Sequence, residues 1–419
     1  MTNEELAHKA YEVAKERYAE LGIDTEKVIE QLQDFHLSMH CWQADDVHGF
    51  EPKAGAMSGG IQSTGDYPGA ARNIDELRAD ILKAKSLIPG THRLNLHEIY
   101  GEFNGKMIDR DECSVDMFKG WMQWGKENKT KLDFNSTNFS HPKSGNLTIS
   151  NPNKEIRDFW IEHMKRCREI ANAMGEYQQD PCIINLWIHD GSKDVTVNRM
   201  LYRAQLKESL DEILAKKYAW EKPCLESTVF GLGLESMTVG SNDFYNAYAS
   251  KNNVMVTLDT GHFHPTESIG DKVSSLLLFV PELMLHVSRP VRWDSDHVTI
   301  MDDLTTELFY EIVRAGAIDR VHYGLDYFDG TLNRVGAYVI GSRAAQKCMT
   351  RALLEPVAQI SKMENAGQMF EKLATVEEHK AMPWNAVYDE FCVRNNVPLG
   401  LDYIAECQKY EKEVTLKRK

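Results

Sequence analysis

Apolar and polar positions along this chain follow two periods in turn. Eight β-prone runs stand out: "FHLSMHCW" (35–42), "RLNLHEIY" (93–100), "KLDFNSTNF" (131–139), "CIINLWIHD" (182–190), "KPCLESTVF" (222–230), "NVMVTLDTGH" (253–262), "LMLHVSRPV" (283–291) and "RVHYGLDYFD" (320–329). Between them apolar residues recur at helical spacing over 74–87, 115–128, 154–174, 198–217 and 304–315. Strands alternating with helices imply parallel strands joined by crossovers, and eight repeats predict a (β/α)8 TIM barrel, an α/β fold, rather than an open doubly wound sheet. No GxGxxG follows the first strand, so nothing favours a dinucleotide fold.

The flanks extend this plan. An amphipathic helix is predicted over 3–21, and it lacks the apolar core and cleavage site of a signal peptide. After residue 332 a long helical pattern runs into a tail rich in Glu and Lys. The chain therefore divides into a barrel over 1–350 and a C-terminal helical extension over 351–419, expected to wrap the barrel or contact another subunit. One glycine-rich loop, 43–73, follows the first strand, and a loop of that length inside a compact domain is expected to be functional, here a lid.

In a strand, successive side chains point to opposite faces. The aliphatic set of each run would meet the outer helices, which sends a polar set inward. That set comprises His36, Ser38, His40 and Trp42; Asn95 and His97; Asp133 and Asn135; Asn185, Trp187 and His189; Glu226; Thr257 and Asp259; His286; and His322, Asp326 and Phe328. A barrel interior is normally apolar, so polar residues gathered toward the later end of each strand point to chemistry at the C-terminal mouth. His36, His322 and Asn185 are each read as hydrogen-bonded core residues.

Three inward carboxylates on neighbouring strands, Glu226, Asp259 and Asp326, repel one another in a low dielectric and require a cation or raised pKa values. "DTGH" (259–262) adds His262 above Asp259, and "RPVRWDSDHV" (289–298) adds Asp294 and Asp296 just beyond the strand that carries His286. One cation is assigned Glu226, Asp259, His286 and Asp326, and a second His262, Asp294 and Asp296. Carboxylate and imidazole ligands without thiolate suit Mn2+, Mg2+ or Co2+ better than a structural zinc.

Charge and cysteine usage narrow the partners. The net charge of −15 argues against nucleic acid or an anionic membrane surface, both of which require a basic face. Eight cysteines are scattered without a CxxC or a close cluster, which indicates neither a disulfide scaffold nor a thiolate zinc site and suits a reducing, cytoplasmic compartment.

The stretches "LSMHCWQADDVHGFE", "LDFNSTNFSHP", "LDTGHFHPTE" and above all "HVSRPVRWDSDHV" resemble the L-rhamnose isomerase family, two-metal barrels related in layout to xylose isomerase, and the resemblance runs over nearly the whole chain. It implies two Mn2+ sites per subunit, with Co2+, Mg2+ or Zn2+ able to occupy one, whose ligands match the two groups above. It also implies conversion of the aldose L-rhamnose to the ketose L-rhamnulose, the first step of L-rhamnose catabolism, by a cytoplasmic homotetramer. Some relatives carry proline where this chain has His189, so His189 stays outside the site.

For such a reaction no Lys lies among the inward residues at the mouth, and every inward acid is taken as a ligand. A metal-assisted 1,2-hydride shift is therefore expected rather than an enediol. Catalytic roles fall to His97, Asp326, His262, Asp294 and Asp296, with His97 aiding ring opening. Substrate contacts fall to Trp42, His97, Trp187, Glu226 and Phe328, the aromatics as apolar walls. The nearest rival is an isomerase or epimerase of the same barrel family acting on another deoxy sugar or a rare hexose.

Overall fold

The computed structural model describes residues 2–52, 65–228, 235–291 and 294–418. Residues 53–64 of the expected lid and the end of the fifth predicted strand, 229–230, lie outside them. Eight parallel strands close into a barrel in the order β1 (Leu37–His40), β10 (Val321–Leu325), β9 (Leu283–Val287), β8 (Met255–Asp259), β6 (Glu221–Glu226), β4 (Cys182–Trp187), β3 (Leu132–Asn135), β2 (Arg93–His97). The two remaining strands, β5 (Gly191–Ser192) and β7 (Met237–Thr238), form a small antiparallel ribbon that the alternation does not predict. Each barrel strand is shorter than its apolar run, because the chain leaves the ladder as soon as it reaches the mouth.

Two helices precede the barrel, α1 (Asn3–Ala19) and α2 (Thr25–Gln33), the second too short and polar for the pattern to reveal. The crossovers are α3 (Ile74–Lys85), α4 (Lys119–Glu127), α5 (Lys154–Gln178), α6 (Arg199–Ile213), α7 (Asn242–Asn252), α8 (Gly270–Leu276) and α9 (Asp303–Arg314), and α10 (Arg334–Leu353) follows the last strand. Several of their starts are fixed by side-chain caps, for example Asn73 on the Glu76 amide, Ser241 on Phe244 and Asp302 on Thr305. The longest, α5, buries Phe159, Trp160, His163, Met164, Cys167, Ile170, Ala171 and Met174, one stripe at helical spacing.

The main core lies between the outer strand faces and these helices. Inside the barrel Ile183, Cys224, Met255 and Met284 form a separate apolar cluster. Below them ion pairs close the floor: Arg93 to Asp133 at 2.8 Å, and Glu282 to both Lys222 and His322. The polar inner faces thus divide into a structural floor and a mouth, separated by one apolar layer.

Beyond the barrel the tail forms α11 (Val357–Asn365), α12 (Met369–Lys380), α13 (Trp384–Arg394) and α14 (Tyr403–Glu413). The α13 helix buries Val387, Tyr388 and Phe391 and packs against α1, α2 and α10, so this part of the tail wraps its own barrel. By contrast α12 leaves Met369, Phe370 and Leu373 exposed, Phe370 at 81%. Among the described residues no helix is long and apolar enough to cross a membrane.

Candidate active site at the barrel mouth

Parity delivers the acids to one place. Glu226 ends β6, Asp259 ends β8, His286 is the fourth residue of β9, and Asp326 follows β10. Because these strands are neighbours in the ladder, Glu226, Asp259, His286 and Asp326 each present a possible ligand atom within 4.8 Å of the others. His286 Nδ1 stands 3.1 Å from both Glu226 Oε1 and Asp326 Oδ2. A second group with the same spacing unites Asp259, His262 and Asp294, with His262 Nε2 3.0 Å from Asp294 Oδ2.

The second group differs from the one expected from sequence. Asp259 belongs to both groups and stands between them, whereas the Asp296 carboxylate falls outside this spacing. The cause lies in the 289–298 loop. A bridge from the Arg289 N–H to the His297 carbonyl and a bond from the Val291 N–H to Ser295 Oγ tie its two ends together, with Asp296 left-handed at φ 47°. Aspartate is among the few side chains that tolerate this region. Asp296 remains half-buried near the cluster, and its backbone carbonyl accepts from Phe328 N–H at 3.3 Å.

Gly261 is required by close approach. A Cβ there would meet Asp294 Oδ1 at 2.4 Å and Asp259 Oδ1 at 3.2 Å, so only hydrogen lets the two carboxylates share the site. Its amide also donates to Asp259 Oδ1 at 2.6 Å.

The electrostatics follow from five acids and two imidazoles gathered at the mouth, with Glu226, Asp259, His262 and His286 buried and Asp294, Asp296 and Asp326 partly exposed. Among the described residues no Lys or Arg pairs with these acids. Burial, reinforced by neighbouring carboxylates, pushes the Asp259 and Asp296 carboxyls well up. Burial would lower His262 and His286, but the surrounding carboxylates overcome it and hold both imidazoles well above the usual range. For Asp326 burial is likewise outweighed, by the His286 charge and hydrogen bond aided by the Trp42 indole, which bring it to about 2. Among the described residues four buried polar atoms here have no hydrogen-bond partner: Asp259 Oδ2, His262 Nδ1, His286 Nε2 and Asp294 Oδ1. Unpartnered carboxylate and imidazole atoms among excess acids fit hard divalent cations.

Beside the acids stands an aromatic wall. The Trp42 ring lies 4.9 Å from His97, His97 5.6 Å from Phe139, and Phe139 5.7 Å from Trp187. Trp42 Nε1 donates to Asp326 Oδ1 at 2.9 Å, so it is the ring and not the N–H that faces a ligand. His97 is buried, with Nδ1 3.2 Å from Thr137 Oγ1, and burial brings its pKa to about 3, which keeps it neutral. Phe328 lies past the end of β10 and is buried in the main core. His189 meets the Gly145 carbonyl at 3.1 Å, a loop contact.

Sequence reading missed Phe139, which lies beyond the end of β3 where strand parity no longer assigns a direction. It also missed Arg110, which donates to the carbonyls of Thr137 and Phe139 at 2.7 and 2.6 Å and to Glu51 at 3.0 Å. Nothing in its local sequence distinguishes this arginine. The expectation of no close cysteine cluster needs correction as well: Cys113 and Cys167 meet beside His163, brought together by the packing of the 110–113 turn on α5. That His163 accepts from the Thr137 N–H through Nε2 and meets the Arg110 carbonyl through Nδ1, so its ring has no lone pair to give a metal.

Comparison with known proteins places the whole chain in one family. A family model described as L-rhamnose isomerase (RhaA) matches residues 5–418. The L-rhamnose isomerase of Bacteroides thetaiotaomicron is 71% identical over 418 residues, covering 100% of both chains. That of Mannheimia succiniciproducens is 52% identical, covering 98% of this chain and 99% of its own. One from Salmonella gallinarum is 50% identical, with 98% of each chain covered.

Proposed function

The chain belongs to the L-rhamnose isomerase family, and from that premise we propose that its mouth is a two-cation centre that interconverts L-rhamnose and L-rhamnulose. The observation that carries this is the pair of carboxylate–imidazole groups sharing Asp259, set directly beside the Trp42–His97–Phe139–Trp187 wall. Glu226, Asp259, His286 and Asp326 would hold one cation; His262 and Asp294, with Asp259 or Asp296, would hold the other. Bound there, two divalent ions would polarise the oxygens on C1 and C2 of the open-chain sugar and balance the buried acids, the Lewis-acid assistance that a hydride shift uses. We take Mn2+ as the native ion, because oxygen-rich ligands with imidazole suit it.

The chain's own residues supply the rest. His97, neutral and in reach of the wall, accepts the proton from the anomeric hydroxyl and returns it at the ring oxygen as the sugar opens. Trp42, Phe139 and Trp187 cover the C–H face and methyl group, and they keep bulk water off C1 and C2. Among the described residues at the mouth no lysine stands ready as a base on carbon, which favours direct hydrogen transfer between the carbons.

Self-association as a tetramer is supported by the exposed apolar face of α12 and by Val195, Val197 and Met200 at the start of α6, each more than 80% exposed. A cytoplasmic location is supported by eight cysteines that are all free and buried. The division into a barrel over 1–350 and an extension over 351–419 is kept as part of this reading, supported by the end of α10 at Leu353.

The test is Mn2+-loaded protein offered a panel of aldoses, with ketose as the readout and EDTA as control. L-Rhamnose should be preferred and EDTA should abolish conversion; conversion that survives full chelation rejects the cation centre. Deuterium placed at C2 should be retained in product, and washout to solvent rejects the hydride route. Asp296→Asn should abolish turnover with an unchanged circular dichroism spectrum.

A further inference from the structure

Asn185 is the fourth residue of β4, inward and 2% exposed, and the reading of it as an ordinary core residue understates its position. Its amide lies between two strands. Asn185 Nδ2 donates to Glu226 Oε2 on β6, and Asn185 Oδ1 accepts from Thr257 Oγ1 on β8 at 2.8 Å, with Cys224 Sγ 3.6 Å away. Thr257 and Glu226 are also 2% exposed.

The direction of this chain is fixed by chemistry. An ionised carboxylate can only accept, so the amide must turn its N–H2 toward Glu226 and its oxygen toward Thr257. The threonine hydroxyl must then donate. Reversing the amide would set two acceptors face to face in a buried site, which costs the desolvation of both. With Oε2 held in this way, Glu226 Oε1 is left to face His286 Nδ1 at 3.1 Å and His262 Nδ1 at 3.5 Å. A neutral donor on Oε2 fixes the rotamer without neutralising the charge, which a lysine or arginine would do.

We propose that Thr257 and Asn185 form a positioning relay that orients Glu226 as a ligand, holding one carboxylate oxygen so that the other is presented to the cation groups. This rests on the two-cation reading of the mouth. The amide touches neither sugar nor reacting atoms and acts through Glu226 alone. Partners of this kind around metal ligands typically contribute 10- to 100-fold in metal affinity.

The experiment is Mn2+ binding to the metal-stripped full chain, read from the electron paramagnetic resonance signal of free Mn2+, with thermal unfolding in EDTA alongside. Asn185→Leu should weaken binding about 10- to 100-fold. Thr257→Val, which keeps the side-chain shape and removes only the hydroxyl donor, should weaken it less and in the same direction, its folding checked by the same unfolding measurement. In the double variant Thr257→Val should add nothing to Asn185→Leu, because its action runs through the amide. Wild-type uptake of Mn2+ with unchanged uptake by Asn185→Leu overturns the inference, as does strict additivity of the two changes. A fall in unfolding temperature in EDTA with Mn2+ affinity intact also overturns it, assigning Asn185 to packing. Wild-type protein that takes up no Mn2+ overturns the cation reading and this inference together, a result distinct from the others.

Discussion

The indole N–H of Trp42 donates to Asp326 Oδ1 at 2.9 Å, tying the residue just past β1 to the residue just past β10. These two strands pair in parallel and close the barrel, so the bond sits on the seam where the first and last strands meet. Just beyond it Gln43 and Asp329 exchange two bonds, Asp329 N–H to Gln43 Oε1 at 2.7 Å and Gln43 Nε2 to the Asp329 carbonyl at 3.1 Å. Asp329 Oδ2 in turn accepts from the Val298 N–H at 3.2 Å, which anchors the loop that carries Asp294 and Asp296.

Trp42→Phe keeps the aromatic wall and removes only the donor. Asp326 then loses one of the interactions holding its carboxyl down at about 2. We expect Mn2+ affinity to fall about 10-fold with little change in unfolding temperature, measured by metal titration and calorimetry. Unchanged affinity would show that His286 alone fixes Asp326.

Gly261→Ala tests the close approach of the two acids. The added methyl would meet Asp294 Oδ1 at 2.4 Å, and Asp294 is the partner that must move. Turnover should drop at least 10-fold, because a displaced ligand forfeits the geometry that orients the reacting atoms. The rest of the barrel should remain intact by circular dichroism.

Arg110→Met should cost about 3–5 kcal/mol of stability, because it leaves buried Glu98, half-buried Glu51 and the Thr137 and Phe139 carbonyls without this cation. The same change frees Phe139 and Thr137, which flank His97, so KM for the sugar should rise as well. Denaturant unfolding and steady-state kinetics read the two effects separately.

At the barrel floor Glu282 is held at about 2, chiefly by its hydrogen bond to His322 and, against partial burial, by Lys222. A carboxyl whose folded pKa lies below its unfolded value of about 4.3 stabilises the fold above that value and loses this contribution as pH falls toward 2. Glu282→Gln should therefore lower the unfolding free energy near pH 6 by about 1 kcal/mol after allowance for solvent screening. The gap from wild type should close as pH approaches 2, while turnover at neutral pH stays unchanged because the apolar layer separates floor from mouth.

How much of this was legible in sequence depends on which part of the chain a residue occupies. Within strands the two-residue period fixes direction, and Glu226, Asp259 and His286 could be placed at the mouth before any coordinates. The eightfold alternation likewise fixed the barrel, since parallel strands need crossovers and a closed sheet hides every edge.

Past the strand ends periodicity carries no information. Only the tertiary structure decided that Asp294 rather than Asp296 lies within 4.8 Å of His262 and Asp259, because loop hydrogen bonds and a left-handed Asp296 set those directions. It alone brought Arg110 and Phe139 to the site across large sequence separations. And it alone gave Asn185 a role: the sequence by itself determined that its amide points inward, while the partners on β6 and β8 determined which end faces the acid.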